Sequence, residues 1–134
     1  MERVVVPVRY PLSKHSRRTL EAAIDIARER AAALTVLHVN LYQNSRHIDR
    51  LELKDGVEEA FGPLENTRYV VRSGFLVEET LLDEVAAEGA DVVVIGNKQS
   101  GKWRRMLQKL VDDPNIDQYL REHLDCEVVT VRAS

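Results

Sequence analysis

Apolar positions in this chain fall into two alternating patterns, and the alternation carries most of the fold. Short unbroken runs rich in β-branched residues read as strands: Val4 to Val8, Leu34 to Val39, Val92 to Ile95 and Cys126 to Val131, with a further one around Arg68 to Val71. Runs of this length, bounded by turn residues, mark strands covered on both faces, as in parallel sheets. Pro7 lacks an amide proton and marks a strand end or a missing ladder bond. Between the runs, apolar residues recur every three to four positions. Leu20, Ala23, Ile24, Ala27 and Ala31 predict a helix over 16–31. Its other face carries Arg17, Glu21, Asp25 and Arg28 at spacings that pair opposite charges. Val77, Leu81 and Val85 predict a second helix over 77–88, with Glu78, Glu79, Asp83, Glu84 and Glu88 as a solvated acidic face and Gly89 as the stop. Strands separated by helices, without hairpin signals, build right-handed βαβ units and a mainly parallel sheet.

Two stretches are less regular. Residues 41–66 predict a helix around Ile48 to Leu53, broken or ended near Asp55-Gly56, then a second turn through Phe61 closed by Gly62-Pro63. The stretch 103–124 reads as two helices. Asp113-Pro114 supplies an N-cap and a first-turn proline, and Ile116, Tyr119, Leu120 and Leu124 form the new apolar face.

The length of 134 residues accommodates one domain, 1–134, with a single core. A net charge of −3 gives no general attraction for nucleic acid. No apolar run approaches the ~18 residues that cross a bilayer, and no signal-peptide pattern opens the chain. The single cysteine, Cys126, excludes an internal disulfide framework and fits a reducing compartment, so the expected location is cytoplasmic, without membrane attachment. Cys126 reads as a packing residue rather than a nucleophile.

The chemistry gathers after the fourth strand. Gly96-Asn-Lys-Gln-Ser-Gly-Lys-Trp103 reads as a strand followed by a glycine loop and then a helix, the arrangement with which open α/β sheets build phosphate sites. It matches seven of the eight positions of the Walker A pattern. The eighth is Trp103, which cannot ligate magnesium as a hydroxyl would. Trp103 is better read as an apolar anchor of the following helix. Between Asn97 and Val111 stand Lys98, Lys102, Arg104, Arg105 and Lys109 without one acid. That stretch is either a solvated face or a site for a phosphate-bearing ligand or an acidic protein partner. His15, His38, His47 and His123 lack the spacing of a helical metal pair, and His38 reads as a packed strand residue. Ser13 or Ser16 serves the first helix as a cap. No complete catalytic set is present, so an enzyme is not expected.

The ordered set of segments resembles the universal stress protein family. Arg3-Val-Val-Val-Pro-Val8, His15-Ser-Arg-Arg-Thr-Leu-Glu-Ala-Ala23 and Leu34-Thr-Val-Leu-His-Val39 are similar to its first strand, helix and second strand. Gly74, Val77 to Glu88, Asp91-Val-Val-Val-Ile-Gly96 and Cys126-Glu-Val-Val-Thr-Val131 follow its second half in order and spacing. The resemblance implies a doubly wound five-stranded parallel α/β sheet of order 3-2-1-4-5 with helices on both faces. It also implies a homodimer, a binding or regulatory module in stress response, and in many members an ATP site. Carried onto this chain, the ligand positions are Val8, Arg9, Val39, Gly96, Asn97, Lys98, Gly101 and Lys102. The dimer would form through the last strand, with Val128, Val129 and Val131 at the interface.

Three departures bear on ATP. Where ATP-binding members carry an adenine-facing aspartate, this chain has Arg9, whose guanidinium only donates. Gly96 matches the first loop glycine, but Gln99 stands at the second. Lys109 and Leu110 fall where a glycine and a hydroxyl residue would meet the phosphates, next to an insertion around 112–116. No cofactor is therefore firmly expected. Weak or absent ATP binding is the first expectation, and ATP binding through a remodelled phosphate loop is the alternative. Arg9, Lys98 and Lys102 would instead face an anion.

Overall fold

The computed structural model describes residues 1–115, 118 and 126–132. Nine elements alternate along these residues: β1 (Arg3–Pro7), α1 (Lys14–Glu29), β2 (Ala33–Leu41), α2 (Arg50–Phe61), β3 (Thr67–Gly74), α3 (Val77–Glu88), β4 (Val92–Gly96), α4 (Asn97–Val111) and β5 (Glu127–Val131). The strands form one parallel sheet of order β3-β2-β1-β4-β5, the order implied by the resemblance. The second helix expected after Pro114, with Ile116, Tyr119, Leu120 and Leu124, lies outside the described residues.

Each strand feeds both layers, because successive side chains point to opposite faces. Val4, Val6, Val92 and Val94 pack with Leu20, Ala23 and Ile24 of α1 and Leu53 and Val57 of α2. Val5, Val93 and Ile95 pack with Leu81 and Val85 of α3 and Trp103 of α4. The central strands are thus buried on both sides, which is why they read as continuous apolar runs.

Local chemistry sets most boundaries. Ser13 caps α1 by accepting from the Ser16 N–H at 3.1 Å. Asp49 and Glu52 close a capping box on α2. Gly89 ends α3 in the left-handed conformation, φ 62°. The expected break near Gly56 is absent, and α2 runs unbroken through it. A β-carbon at Gly56 would stand 2.6 Å from Tyr10 Cε2, so this glycine seats an aromatic ring against the helix instead of ending it.

The acidic face of α3 is not wholly solvated, as the sequence reading had it. The side chains of Glu84 and Glu88 keep only 4% and 6% of their exposure. Arg72 Nε of β3 donates to Glu84 Oε2 at 3.0 Å, and Thr35 Oγ1 of β2 donates to Glu88 Oε1 at 2.7 Å. Arg68 stands 3.5 Å from the same Glu88 oxygen. Burial pushes the Glu88 carboxyl above its ordinary value, against the opposing pull of Thr35 and Arg68. Partners on neighbouring strands decided which acids could be covered, and helix periodicity alone does not contain them.

Candidate functional site at the carboxyl end of the sheet

β1 and β4 lie side by side at the sheet's centre, where the winding reverses direction, and ligands of open α/β sheets bind at such points. They hold ladder register only at Val4↔Val92 and Val5↔Val93. On its other side β1 stays joined to β2: the Val8 N–H donates to the Leu37 carbonyl at 2.8 Å. The Val8 carbonyl also accepts from His38 Nδ1 at 2.9 Å, so that ring nitrogen carries a proton. The sheet therefore parts on the β4 side, beyond Val5.

Two hollows lie at this end of the molecule. A cavity of about 20 Å³ is walled, among the described residues, by His15, Arg18 and Thr19 of α1, Gly96, Val131 and Arg132. It has room for a water molecule and no more. A wider, open cleft of about 440 Å³ lies between α4 and β5, lined by Asn97, Ser100, Gly101, Arg104, Thr130 and Arg132. Only the second falls in the size range of small-molecule sites.

The glycine loop expected at 96–101 does not exist. Gly96 is the N-cap of α4, at φ −74° and ψ 164°, and the helix starts at once with Asn97. A phosphate loop needs successive backbone amides turned toward one anion. Here the amides from Gly101 onward lie beyond the free first turn and belong to the helix. The Walker reading fails on this geometry as well as on Trp103. Neither glycine makes room for backbone approach: a β-carbon at Gly96 would meet Thr19 Oγ1 at an ordinary 3.8 Å, and one at Gly101 would meet nothing within 4 Å.

Winding the segment into a helix sorts its residues onto three faces. Trp103, Met106, Leu107 and Leu110 turn to the core, as expected for Trp103. Asn97, Ser100, Gly101 and Arg104 face the cleft. Lys98, Lys102, Arg105 and Lys109 follow one another along an exposed stripe. Arg9 is exposed, and its backbone N–H donates to Ser16 Oγ at 3.4 Å. Val8 and Val39 are both buried, at 6% and 7%, in the cores on opposite faces of the sheet. Of the expected ligand positions, only Asn97 and Gly101 line the wide cleft, and Gly96 borders the small cavity. Sequence reading missed Ser100, Thr130 and Arg132. Arg104 was seen only as part of a basic stretch. The spacing 97, 100, 101, 104 is a helix face, and it becomes visible once the loop is abandoned.

A parallel sheet of order β3-β2-β1-β4-β5, wound in both directions from its centre, defines a doubly wound open α/β domain. More narrowly, the model of the universal stress protein family matches residues 1–132, and the chain belongs to that family. The universal stress protein UspA from Lactobacillus plantarum is similar in structure, with 19% identity, TM-score 0.60, and 98% of this chain and 97% of that one covered. A universal stress protein solved in complex with cAMP shares 17% identity over 99% of this chain and 98% of its own, at TM-score 0.61. One from Archaeoglobus fulgidus, solved in complex with dAMP, shares 19% identity over 97% of each chain, also at TM-score 0.61. No curated protein sequence matches the chain. At these identities the solved structures establish the fold.

Proposed function

We propose that this chain is a binding and regulatory module of the stress-response family that does not hold ATP tightly and retains an affinity for anions. The observation that carries the reading is the direct passage from Gly96 into α4, which leaves a water-sized cavity where a phosphate loop would open. Arg9, exposed just past the end of β1, supplies donors where an adenine amine needs an acceptor. Arg9, Lys98 and Lys102 draw in a small phosphorylated ligand electrostatically, and no ion pair among the described residues involves any of them. Nothing in this set performs covalent chemistry, so the module is not read as an enzyme.

Titration calorimetry with ATP, cAMP and dAMP tests the reading. Three lost polar contacts, at ~0.5–1.5 kcal/mol each, weaken ATP by about one to three orders of magnitude. Micromolar ATP binding, with or without magnesium, would overturn the proposal. It would favour the second reading, ATP binding through a remodelled loop, which the cAMP and dAMP complexes of the similar proteins support.

The same reading includes a homodimer through β5. This strand lies at the sheet edge, and Val128, Val129 and Val131 are only partly covered. An apolar edge strand recruits another strand unless blocked. Sedimentation at micromolar concentration is expected to report a dimer that Val129→Lys dissociates; a wild-type monomer refutes it.

A further inference from the structure

We propose that the corner where the β2–α2 and β3–α3 loops meet is a docking surface for a basic, amphipathic helical segment of a partner protein. The corner lies at the β3 edge of the sheet, away from the segment that follows β4, and does not depend on the anion reading. Tyr42, Phe75 and Leu76 stand together there and keep 55%, 68% and 56% of their exposure. The other large exposed apolar residues among those described, Met1, Leu51 and Val111, are scattered over the N-terminus, α2 and α4. Single exposed apolar residues are ordinary, whereas a contiguous set marks a contact surface. The Tyr42 and Phe75 rings meet edge to face with centroids 4.8 Å apart. Hydrogen bonds hold them there: the Tyr42 N–H donates to the Gly74 carbonyl and Gln43 Nε2 to the Phe75 carbonyl, each at 3.0 Å. The far end of the first loop is pinned as well. Buried Asn40 donates to the Ile48 carbonyl at 2.8 Å and accepts from the Ile48 N–H at 3.1 Å, and His47 Nε2 donates to the Leu41 carbonyl at 2.9 Å. Aromatic rings fixed in place before a partner arrives lose little freedom on binding.

Two features say what the partner carries. Leu76 is the N-cap of α3 and makes no side-chain bond to its free amides. A hydroxyl, carboxylate or carboxamide residue at that position is worth ~1 kcal/mol, and an exposed leucine adds nothing to the fold in its place. An apolar anchor on a partner would cover it. From Leu76 an acidic stripe runs along α3, with Glu79 and Asp83 three and seven residues on, exposed on one face, and Glu78 beside them. No Lys or Arg occurs between Ser73 and Asn97. Arg72 and Arg68 are engaged by Glu84 and Glu88, and no ion pair among the described residues involves Glu78, Glu79 or Asp83. The helix start itself favours Glu78 and Glu79, but Asp83 lies beyond the first turn. Partial burial, and then the charges of Glu79 and Glu84, hold its carboxyl above the ordinary value. A cation laid along this face relieves that repulsion. Nucleic acid and anionic lipid are repelled by it, and a neutral apolar surface would leave the acids without partners. A helix with an apolar anchor and Lys or Arg one turn away matches both halves of the surface.

The test is fluorescence anisotropy of the full chain with a labelled peptide of ~15 residues, leucine at every third or fourth position and lysine elsewhere, beside its counterpart with glutamate for lysine. The lysine peptide is expected to bind the wild type at least tenfold tighter than the glutamate peptide does. Phe75→Ser and Tyr42→Ser should each weaken it about tenfold, the effect of losing an interface hot spot. Glu79→Lys combined with Asp83→Lys should reverse the preference between the two peptides, a change that loss of the fold does not produce. Leu51→Ser, which alters an exposed leucine elsewhere, should leave binding unchanged. All these side chains are exposed, so melting temperatures should stay near that of the wild type. Failure of the lysine peptide to bind, or a charge reversal without effect, refutes the basic partner. If Phe75→Ser dissociates a dimer that Val129→Lys leaves intact, the occupant is a second copy of this chain. If Phe75→Ser abolishes wild-type binding to phosphatidylcholine vesicles, the occupant is a membrane, and either result overturns the proposal.

Discussion

Replacing Gly101 with alanine should stabilise this protein. The position is the fifth residue of α4, past the cap, and it faces open space. Its φ does not require glycine, since positive-φ glycines are confined to Gly62 and Gly89 among the described residues. The gain therefore comes from chain entropy and helix propensity alone, ~0.8–1 kcal/mol in a helix interior. For a chain of 134 residues that amounts to roughly 2–5 °C in melting temperature. Urea unfolding followed by fluorescence is the assay, because Trp103 is the sole tryptophan and is fully buried. The midpoint should rise with an unchanged slope. Gly56 and Gly74 are the controls: an alanine methyl would come 2.6 Å from Tyr10 Cε2 at the first and collide with Thr80 Oγ1 at the second. Both replacements should gain less than Gly101→Ala or lose stability. If Gly101→Ala is neutral or destabilising while Gly56→Ala stabilises, the packing assigned to these glycines is wrong.

Trp103→Phe should cost less than ~1.5 kcal/mol, because the change also removes a buried indole N–H that has no hydrogen-bond partner among the described residues. Trp103→Ala should cost about 3–5 kcal/mol, and chemical denaturation followed by circular dichroism compares the two. Glu88 should make folding pH-dependent. Its carboxyl is raised from 4.5, so the folded protein binds the proton more tightly than the unfolded chain. The associated stability is present in acid and is lost as pH rises through the raised value. Glu88→Gln keeps an acceptor for Thr35 and should flatten that part of the profile. A wild-type profile unaltered by the substitution would sink the assignment. Asp49→Ala should cost ~1 kcal/mol by opening the α2 capping box, read as a lower urea midpoint.

The strands and the two long amphipathic helices were legible because burial on one face or two leaves a period in the sequence. Glycine was the main source of error, and for one reason. Gly56 and Gly101 were both read as breaks, yet both lie within helices. The ~1 kcal/mol local cost of a helical glycine is small beside the packing of Leu53, Val57 and Trp103 on the same helices. The misread loop also hid the cleft, since Ser100 and Arg104 share a face only when 97–111 is helical. Arg132 joins them only because β5 lies beside β4, a neighbourhood created by topology across more than twenty residues of chain. Arg72 and Thr35 were invisible as partners of Glu84 and Glu88 for the same reason.

The brief pairing of β1 with β4 makes the sheet mechanically unequal. From β1 through β3 the ladders run for five and then eight positions, all within the continuous segment 3–74, whereas two positions join that block to β4 and β5. Few main-chain bonds must break for the two blocks to move apart at their carboxyl end. Amide exchange should therefore be slowest in β2, flanked by long ladders on both sides, and faster in β4 toward Gly96. Whatever molecule lodges at that end acts as a strut between two halves that the backbone alone joins lightly.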